Sequence, residues 1–316
     1  MPILVPDDVV AEALSRFGVD PSTARPVTRE GAPDGLVLTC RRDGQDAFCK
    51  IRPLDGHAHE GERARERDVV ALAEYLLASG VPVVRYLPAL DGEVLHVVSG
   101  HVVCLTAGAP GRHVREAEAL APGFVRAWAG TLGRIHAATV GWGGGAALGS
   151  WCDEHRHFRA RCRDAEIGAL WEDLGDRMAT LTTEPAGYGV VHNDLHHGNL
   201  LLAPDGGLTV LDLDVASRHW YATDLAILLV HPLWSLRNRP VDARRFAATA
   251  VEAYLAEYPL PAGRLADVPL LAHYRMALLV LAIQDELGGR GAPAWLGELR
   301  STVLHWSSLP GLDTLA

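Results

Sequence analysis

The chain has 316 residues, and 48% of them are hydrophobic, which is enough to bury a large core and to form about two domains. Its 29 Lys and Arg against 39 Asp and Glu give a formal net charge of −10 at pH 7, a balance that disfavours nucleic acid because phosphates are repelled. The five cysteines form no CxxC pair, the N-terminus does not read as a signal peptide, and no apolar run approaches the roughly 18 residues of a membrane span. We therefore predict a cytoplasmic protein, a monomer or homodimer, with no nucleic-acid or membrane partner.

The first part of the chain is predicted to form a small antiparallel sheet with one or two helices. After a short N-terminal helix, two strands meet at Asp43-Gly44, a dipeptide typical of hairpin turns. The stretch GERARERDVVALAEYLLASG predicts a helix that ends at its last glycine. Further strands follow, with a second hairpin turn predicted at Asp91-Gly92.

From about residue 112 the hydrophobic pattern becomes helical, with one hairpin that turns at Pro204 to Gly207. The stretch TAGAPG lies between these two regions and predicts a hinge at about 105–111. We therefore predict an α+β protein with an N-terminal lobe over 1–106, an antiparallel sheet with a helix, and a mostly helical C-terminal lobe over 107–316.

A polar loop in the second region carries the pattern H-x-D-L-x-x-x-N, which is typical of kinase catalytic loops. This spacing lets the carboxylate of Asp194 face an incoming hydroxyl while the amide of Asn199 reaches a Mg²⁺ ion on the phosphates of a nucleotide. His192 is expected to hold the shape of the loop. A zinc site formed by His192, His196 and His197 is the alternative, but a fourth ligand at typical spacing is missing and Asp194 would have no role.

Four further residues complete the predicted chemistry. Asp212 follows an apolar strand after the next hairpin and supplies a second Mg²⁺ ligand, with Asp214 on the same side to assist. Lys50 ends the apolar strand AFCK, where a lysine can reach the α- and β-phosphates. Glu66 lies on the apolar face of the following helix and therefore needs a cation, for which Lys50 is the candidate. Glu62, one turn earlier on the same face, is the competing assignment.

Together these motifs resemble the aminoglycoside phosphotransferase and choline kinase superfamily, which are small-molecule kinases with a bilobal protein-kinase-like fold. The resemblance extends over about residues 25–230 and is nearest the homoserine-kinase-like and spectinomycin-phosphotransferase-like branch, on the stretch LDLDVASRHWYATDLAILL. It implies that Asp224 braces the catalytic loop from the next helix. His196 fits the usual pattern of the family. The glycine loop departs from it, because EGAPDG supplies Gly31 and Gly35 but no GxGxxG.

The resemblance and the order of the motifs imply an ATP- or GTP-dependent kinase that uses Mg²⁺ and phosphorylates a small-molecule hydroxyl. Asp194 would accept the hydroxyl proton during transfer. The adenine is expected to bond backbone groups of the hinge, at Thr106, Ala107 and Gly108.

An antibiotic or related natural product is the predicted acceptor, and a hydroxy-amino acid or amino alcohol is the alternative. In this family the acceptor is bound by the C-terminal helices and by the insert before the catalytic loop. Acidic residues there are candidate contacts for a cationic substrate, although surface solvation explains them equally well; they are Asp153, Glu154, Asp285 and Glu286.

Two rival functions are weighed against this prediction. A protein kinase needs an activation segment, and only eleven residues separate Asp212 from Asp224. A catalytically silent nucleotide-binding module is the other rival, and the full set of polar groups argues against it.

Overall fold

The computed structural model describes residues 5–27, 35–54, 59–261, 263–288 and 291–315. The chain forms two compact units. One unit contains the described residues up to Gly111 together with 144–148 and 209–214, and the other contains the rest. The helices are α1 (Asp7–Arg16), α2 (His59–Ala78), α3 (Glu116–Ala119), α4 (Pro122–Thr139), α5 (Trp151–Arg161), α6 (Ala165–Met178), α7 (Tyr221–Ser235), α8 (Pro240–Glu257), α9 (Val268–Leu287) and α10 (Ala294–Leu304). The strands are β1 (Arg25–Pro26), β2 (Leu36–Arg42), β3 (Gln45–Pro53), β4 (Tyr86–Leu87), β5 (Leu95–Val98), β6 (His101–Ala107), β7 (Arg112–His113), β8 (Tyr188–Val191), β9 (Leu200–Leu202), β10 (Leu208–Val210) and β11 (Ser217–Trp220).

The first unit is built on an antiparallel sheet in the order β1-β2-β3-β6-β4, with β5 also paired to β6. The predicted antiparallel sheet in the N-terminal region is therefore confirmed. Asp43 and Gly44 connect β2 and β3 with φ angles of 51° and 79°, the left-handed backbone that a tight hairpin turn requires.

The second predicted hairpin differs from the structure. The chain does turn at Asp91-Gly92, but the strands on either side of it, β4 and β5, both pair with β6 rather than with each other. The tight turn between two paired strands lies instead at Ser99-Gly100, which connects β5 to β6 with positive φ at both residues. A serine-glycine pair is a weaker hairpin signal than aspartate-glycine, and the pattern of turn residues alone favoured the wrong dipeptide.

Alternation along β3 decides which side chains face the core of the first unit. Cys49 and Ile51 are fully buried in a hydrophobic cluster that also contains Phe17, the residue after α1. Because successive side chains in a strand point to opposite faces, Lys50 and Arg52 share the other face. The segment 209–214 joins this unit where Val210 bridges to the chain after α2. The five cysteines of the chain are free, and three of them, including Cys49, are buried.

The second unit is mainly helical. Helix α4 packs closely on α8, because Gly133 brings its backbone near α8: an added Cβ would lie 2.7 Å from the carbonyl oxygen of Tyr254. Helix α7 is buried along most of its length and packs on α9. Strands β8 and β11 form an antiparallel pair that leads into the catalytic loop, and β7 pairs with β9. The largely helical second region is thus confirmed.

One helix of the described residues is long and apolar enough to cross a membrane by length and composition. It extends over residues 265–287. Its most apolar stretch of 18 residues has a mean hydropathy of 1.5, and 56% of that stretch is buried inside the protein. No apolar run of this length is predicted from the sequence. In the structure the helix packs against α6 and α7, so its apolar residues form core contacts.

Candidate active site

The catalytic loop begins where β8 ends, and Asp194 lies at its centre. The Asp194 side chain is 40% exposed, and its Oδ2 atom lies 3.6 Å from Nε2 of His196. Asn199 donates from Nδ2 to the backbone oxygen of Asp194 at 2.9 Å and to Oδ2 at 3.2 Å. The backbone N–H of Asp194 donates to Nδ1 of His192 at 3.3 Å. These hydrogen bonds bring together the three residues of the predicted motif and hold the carboxylate half open to solvent.

Asp224 supports this loop from α7, as the family resemblance implied. Its carboxylate is fully buried and accepts backbone N–H groups from His192 at 2.9 Å and from Asn193 at 2.8 Å. The ring of His136 lies 3.2 Å away. Burial raises the pKa of Asp224, but the hydrogen bond from His136 and the N–H groups outweigh it, so the pKa lies below its ordinary value. The loop therefore rests on an ionised carboxylate inside the protein.

A second cluster, in the first unit, combines Lys50 with two aspartates. The Lys50 ammonium contacts the carboxylate of Asp214 and lies 3.5 Å from Oδ1 of Asp212. Burial lowers the pKa of Lys50, and the charges of Asp214 and Asp212 outweigh it, so the pKa is raised. The Asp212 side chain is 49% exposed and that of Asp214 is 16% exposed. Asp212 is therefore the more accessible carboxylate. It lies two residues beyond the end of β10, with a positive φ of 56°.

The expected partner of Glu66 is corrected by the structure. Glu66 is 7% exposed, in agreement with its place on the apolar face of α2. Its carboxylate contacts the guanidinium of Arg52, whereas Lys50 contacts Asp214. Arg52 also reaches Oδ2 of Asp214 at 3.2 Å. The reason is strand alternation: Arg52 shares the face of Lys50, and its longer side chain takes the helix carboxylate. The period of two along β3 would have added Arg52 as a second candidate beside Lys50, but it could not choose between them.

Two residues of the predicted hinge use their N–H groups within the first unit. Thr106 and Ala107 are the last residues of β6. The N–H of Ala107 donates to the oxygen of Arg85 at 2.9 Å, and the N–H of Gly108 donates to the oxygen of Asp46 at 2.8 Å. An adenine bound here would have to use other backbone groups. Most of the EGAPDG stretch, including Gly31, lies outside the described residues, whereas Gly35 lies within them.

The four acids suggested for a cationic substrate have different surroundings. Asp153 accepts hydrogen bonds from the N–H and hydroxyl of Ser150, both at 2.8 Å, and so caps α5. Glu154 is hydrogen-bonded to Asn193 and Arg275 within the second unit. Asp285 is half exposed, 3.6 Å from Arg161, and lines a cavity of about 480 Å³. Glu286 is exposed. Asp153 and Glu154 therefore have partners within the protein, whereas the sequence suggested that they face solvent or a substrate.

The fold and the loop define the class of the protein as a small-molecule phosphotransferase with a kinase-type catalytic loop. The family model of the phosphotransferase enzyme family (APH) matches residues 36–264, and the chain belongs to this family. The predicted resemblance is therefore confirmed.

Three proteins are similar to this chain in sequence or in structure. Amicoumacin kinase of Bacillus subtilis (strain 168) is 25% identical over 301 residues, covering 86% of this chain and 83% of that protein. The structure of amicoumacin kinase hAmiN in complex with AMP-PNP, Ca²⁺ and Ami has a TM-score of 0.86 at 19% identity and covers 98% of this chain and 96% of that one. A microcompartment-associated aminopropanol kinase has a TM-score of 0.70 at 20% identity, covering 95% and 94%. At these identities the two structures show the fold.

Proposed function

We propose that the chain transfers the γ-phosphoryl group of ATP to a hydroxyl of a small molecule with the help of Mg²⁺. As the acceptor oxygen bonds to the γ-phosphorus, the bond from that phosphorus to the bridging oxygen breaks and ADP leaves. The hydroxyl proton passes to the carboxylate of Asp194. GTP is the alternative donor.

The fixed geometry of Asp194 is the observation that carries this proposal. Its carboxylate is 40% exposed, so a hydroxyl can reach it. The amide of Asn199 and the buried carboxylate of Asp224 hold the loop around it. Phosphoryl transfer depends mainly on positioning and charge neutralisation, and a rigidly mounted carboxylate supplies the positioning of the acceptor.

The residues proposed for the metal fit a hard divalent cation. Asp212 and Asp214 carry carboxylate oxygens and Asn199 carries an amide oxygen, the ligand types that Mg²⁺ prefers. Asp214 already contacts Lys50 and Arg52, so the more accessible Asp212 is the stronger candidate and Asp214 assists. When bound, the ion neutralises charge on the phosphates.

Lys50 is proposed to bind the α- and β-phosphates. Its ammonium is held in the first unit by the carboxylate of Asp214, an anionic partner that a phosphate oxygen can replace. Glu66 enters this arrangement through Arg52 rather than through Lys50. Arg52 also contacts Asp214 at 3.2 Å, so this carboxylate would keep a cationic partner when Lys50 turns to the nucleotide.

We propose a hydroxylated antibiotic of the amicoumacin type as the acceptor. The support is the similarity to amicoumacin kinase over 86% of this chain and the fold likeness at a TM-score of 0.86. An amino alcohol is the second candidate, favoured by the aminopropanol kinase at a TM-score of 0.70. We place the enzyme in the cytoplasm, where ATP is present and free cysteines stay reduced.

Purified protein incubated with ATP and Mg²⁺ tests the proposal. The acceptors are amicoumacin, aminoglycosides, aminopropanol, choline and homoserine, each analysed by mass spectrometry for one added phosphoryl group. Asp194→Asn should lower turnover by about 10²- to 10⁴-fold because the general base is lost. Asp205→Asn, in an exposed turn, is the matched control and should retain turnover. Near-normal turnover by Asp194→Asn would contradict the proposed mechanism, and a product on an amino alcohol alone would contradict the antibiotic acceptor.

A further inference from the structure

Asn193 has an unusual environment for the residue that precedes Asp194. Its φ angle is +66°, in the left-handed region, and the residue is 4% exposed. Asparagine tolerates this conformation better than most residues, and glycine tolerates it best. A glycine would therefore satisfy the backbone alone, so the side chain of Asn193 calls for a separate explanation.

The side chain and the carbonyl of Asn193 are bound by two residues from distant helices. Glu154 of α5 accepts a hydrogen bond at Oε2 from Nδ2 of Asn193 at 2.7 Å. Arg275 of α9 donates to Oδ1 of Asn193 at 3.2 Å and to its backbone oxygen at 3.1 Å. The N–H of Asn193 donates to Asp224. All the polar groups of this residue are therefore bonded within the second unit.

Glu154 and Arg275 also bind each other. The carboxylate and the guanidinium are 3.2 Å apart, and their side chains are 14% and 11% exposed. A pair this sheltered is screened little by salt, and loss of one partner leaves the other charge poorly solvated. The guanidinium bonds the carboxylate and two oxygens of Asn193 at once, which uses the planar fork of arginine and which an ammonium cannot reproduce.

We propose that Glu154 and Arg275 are positioning residues that set the direction of the Asp194 carboxylate by holding Asn193 in its left-handed conformation. This inference rests on the proposed phosphotransferase function. Neither residue need touch the substrate; both act through the peptide that leads into Asp194. An angular change there moves the carboxylate relative to the acceptor hydroxyl, and small misplacements of a reacting group are costly to the rate.

The first test separates turnover from nucleotide binding. Arg275→Met should lower kcat by about tenfold or more while the KM for ATP changes less than about twofold, because the residue positions the base rather than the phosphates. Arg275→Lys should recover only part of kcat, since a lysine keeps the charge but not the fork. Arg244→Met removes an exposed ion pair with Asp313 elsewhere in the unit and should leave kcat unchanged. Wild-type kcat in Arg275→Met would overturn the inference.

A double-mutant cycle identifies the route of the effect. Asn193→Gly keeps the left-handed backbone but removes the side chain that Glu154 binds. If Glu154 acts through that side chain, Glu154→Ala should lower kcat less in the Asn193→Gly background than in the wild type. Equal losses in both backgrounds would overturn the proposed route.

Hydrogen exchange gives a readout that needs no turnover. The N–H groups of His192 and Asn193 are bonded to a buried carboxylate and should exchange slowly in the wild type. Arg275→Met should speed exchange in the peptide containing them by about tenfold or more, and Arg244→Met should not. Faster exchange in a protein that phosphorylates none of the acceptors would support the positioning contact and reject the proposed function. Unchanged exchange and unchanged kcat in an active enzyme would reject the positioning role alone.

Discussion

Replacement of Asp224 by alanine tests how strongly the catalytic loop depends on its buried support. The carboxylate is fully buried and accepts the N–H groups of His192 and Asn193. Alanine would leave both donors without a partner, at about 1–3 kcal/mol each, so the free energy of unfolding should fall by about 2–6 kcal/mol. A domain is typically stable by only about 5–15 kcal/mol, so this is a large share of the total.

Urea denaturation followed by tryptophan fluorescence measures this loss, since the chain has eight tryptophans. Asp205→Ala is the control, because Asp205 is exposed and its carboxylate accepts one turn N–H, from Gly207 at 2.9 Å. That variant should lose less than about 1 kcal/mol. If Asp224→Ala loses no more than the control, the loop does not depend on this carboxylate and the reasoning is refuted.

Two further predictions concern the second unit. Burial lowers the pKa of His219 to about 4, although the charge of Glu154 opposes this shift. Between about pH 6.5 and 4 the histidine is therefore protonated in the unfolded state but neutral in the folded state. The free energy of unfolding should fall by about 3 kcal/mol as the pH drops through this range. Urea unfolding across this range should show a flatter dependence in His219→Gln, and an equally steep one would reject the assignment. Gly133→Ala places a Cβ 2.7 Å from the oxygen of Tyr254 and should cost about 1–3 kcal/mol, seen as a lower Tm. Gly123→Ala in the same helix, where an added Cβ would meet no atom beyond the adjoining helix backbone within 4 Å, should not lower Tm. Equal Tm values for the two variants would contradict the close packing at Gly133.

The parts of the candidate site that depend on local spacing could be predicted from the sequence. Asp194 and Asn199 lie in one loop, and the structure joins them by hydrogen bonds. The burial of Glu66 followed from helical periodicity. The partner of Glu66 could not be predicted, because Lys50 and Arg52 share one face of β3 and strand alternation does not show which cation reaches the helix.

Contacts between distant helices were not predictable in the same way. Glu154 and Arg275 lie 121 positions apart in the chain and meet only because α5 and α9 pack together. Along the sequence, Glu154 resembled a surface acid for a cationic ligand. The turn at Asp91-Gly92 shows the same limit, because turn residues mark where the chain bends but not which strands then pair.

The helices α5 and α9 take part in two features of the second unit. Glu154 and Arg275 bind the residue before Asp194 from these helices. Arg161, at the end of α5, and Asp285, near the end of α9, line the cavity of about 480 Å³. Substitutions that adapt this cavity to a new ligand should therefore also change the turnover rate. A library that varies the cavity walls should be screened for speed and selectivity together, because both helices are hydrogen-bonded to the residue before Asp194.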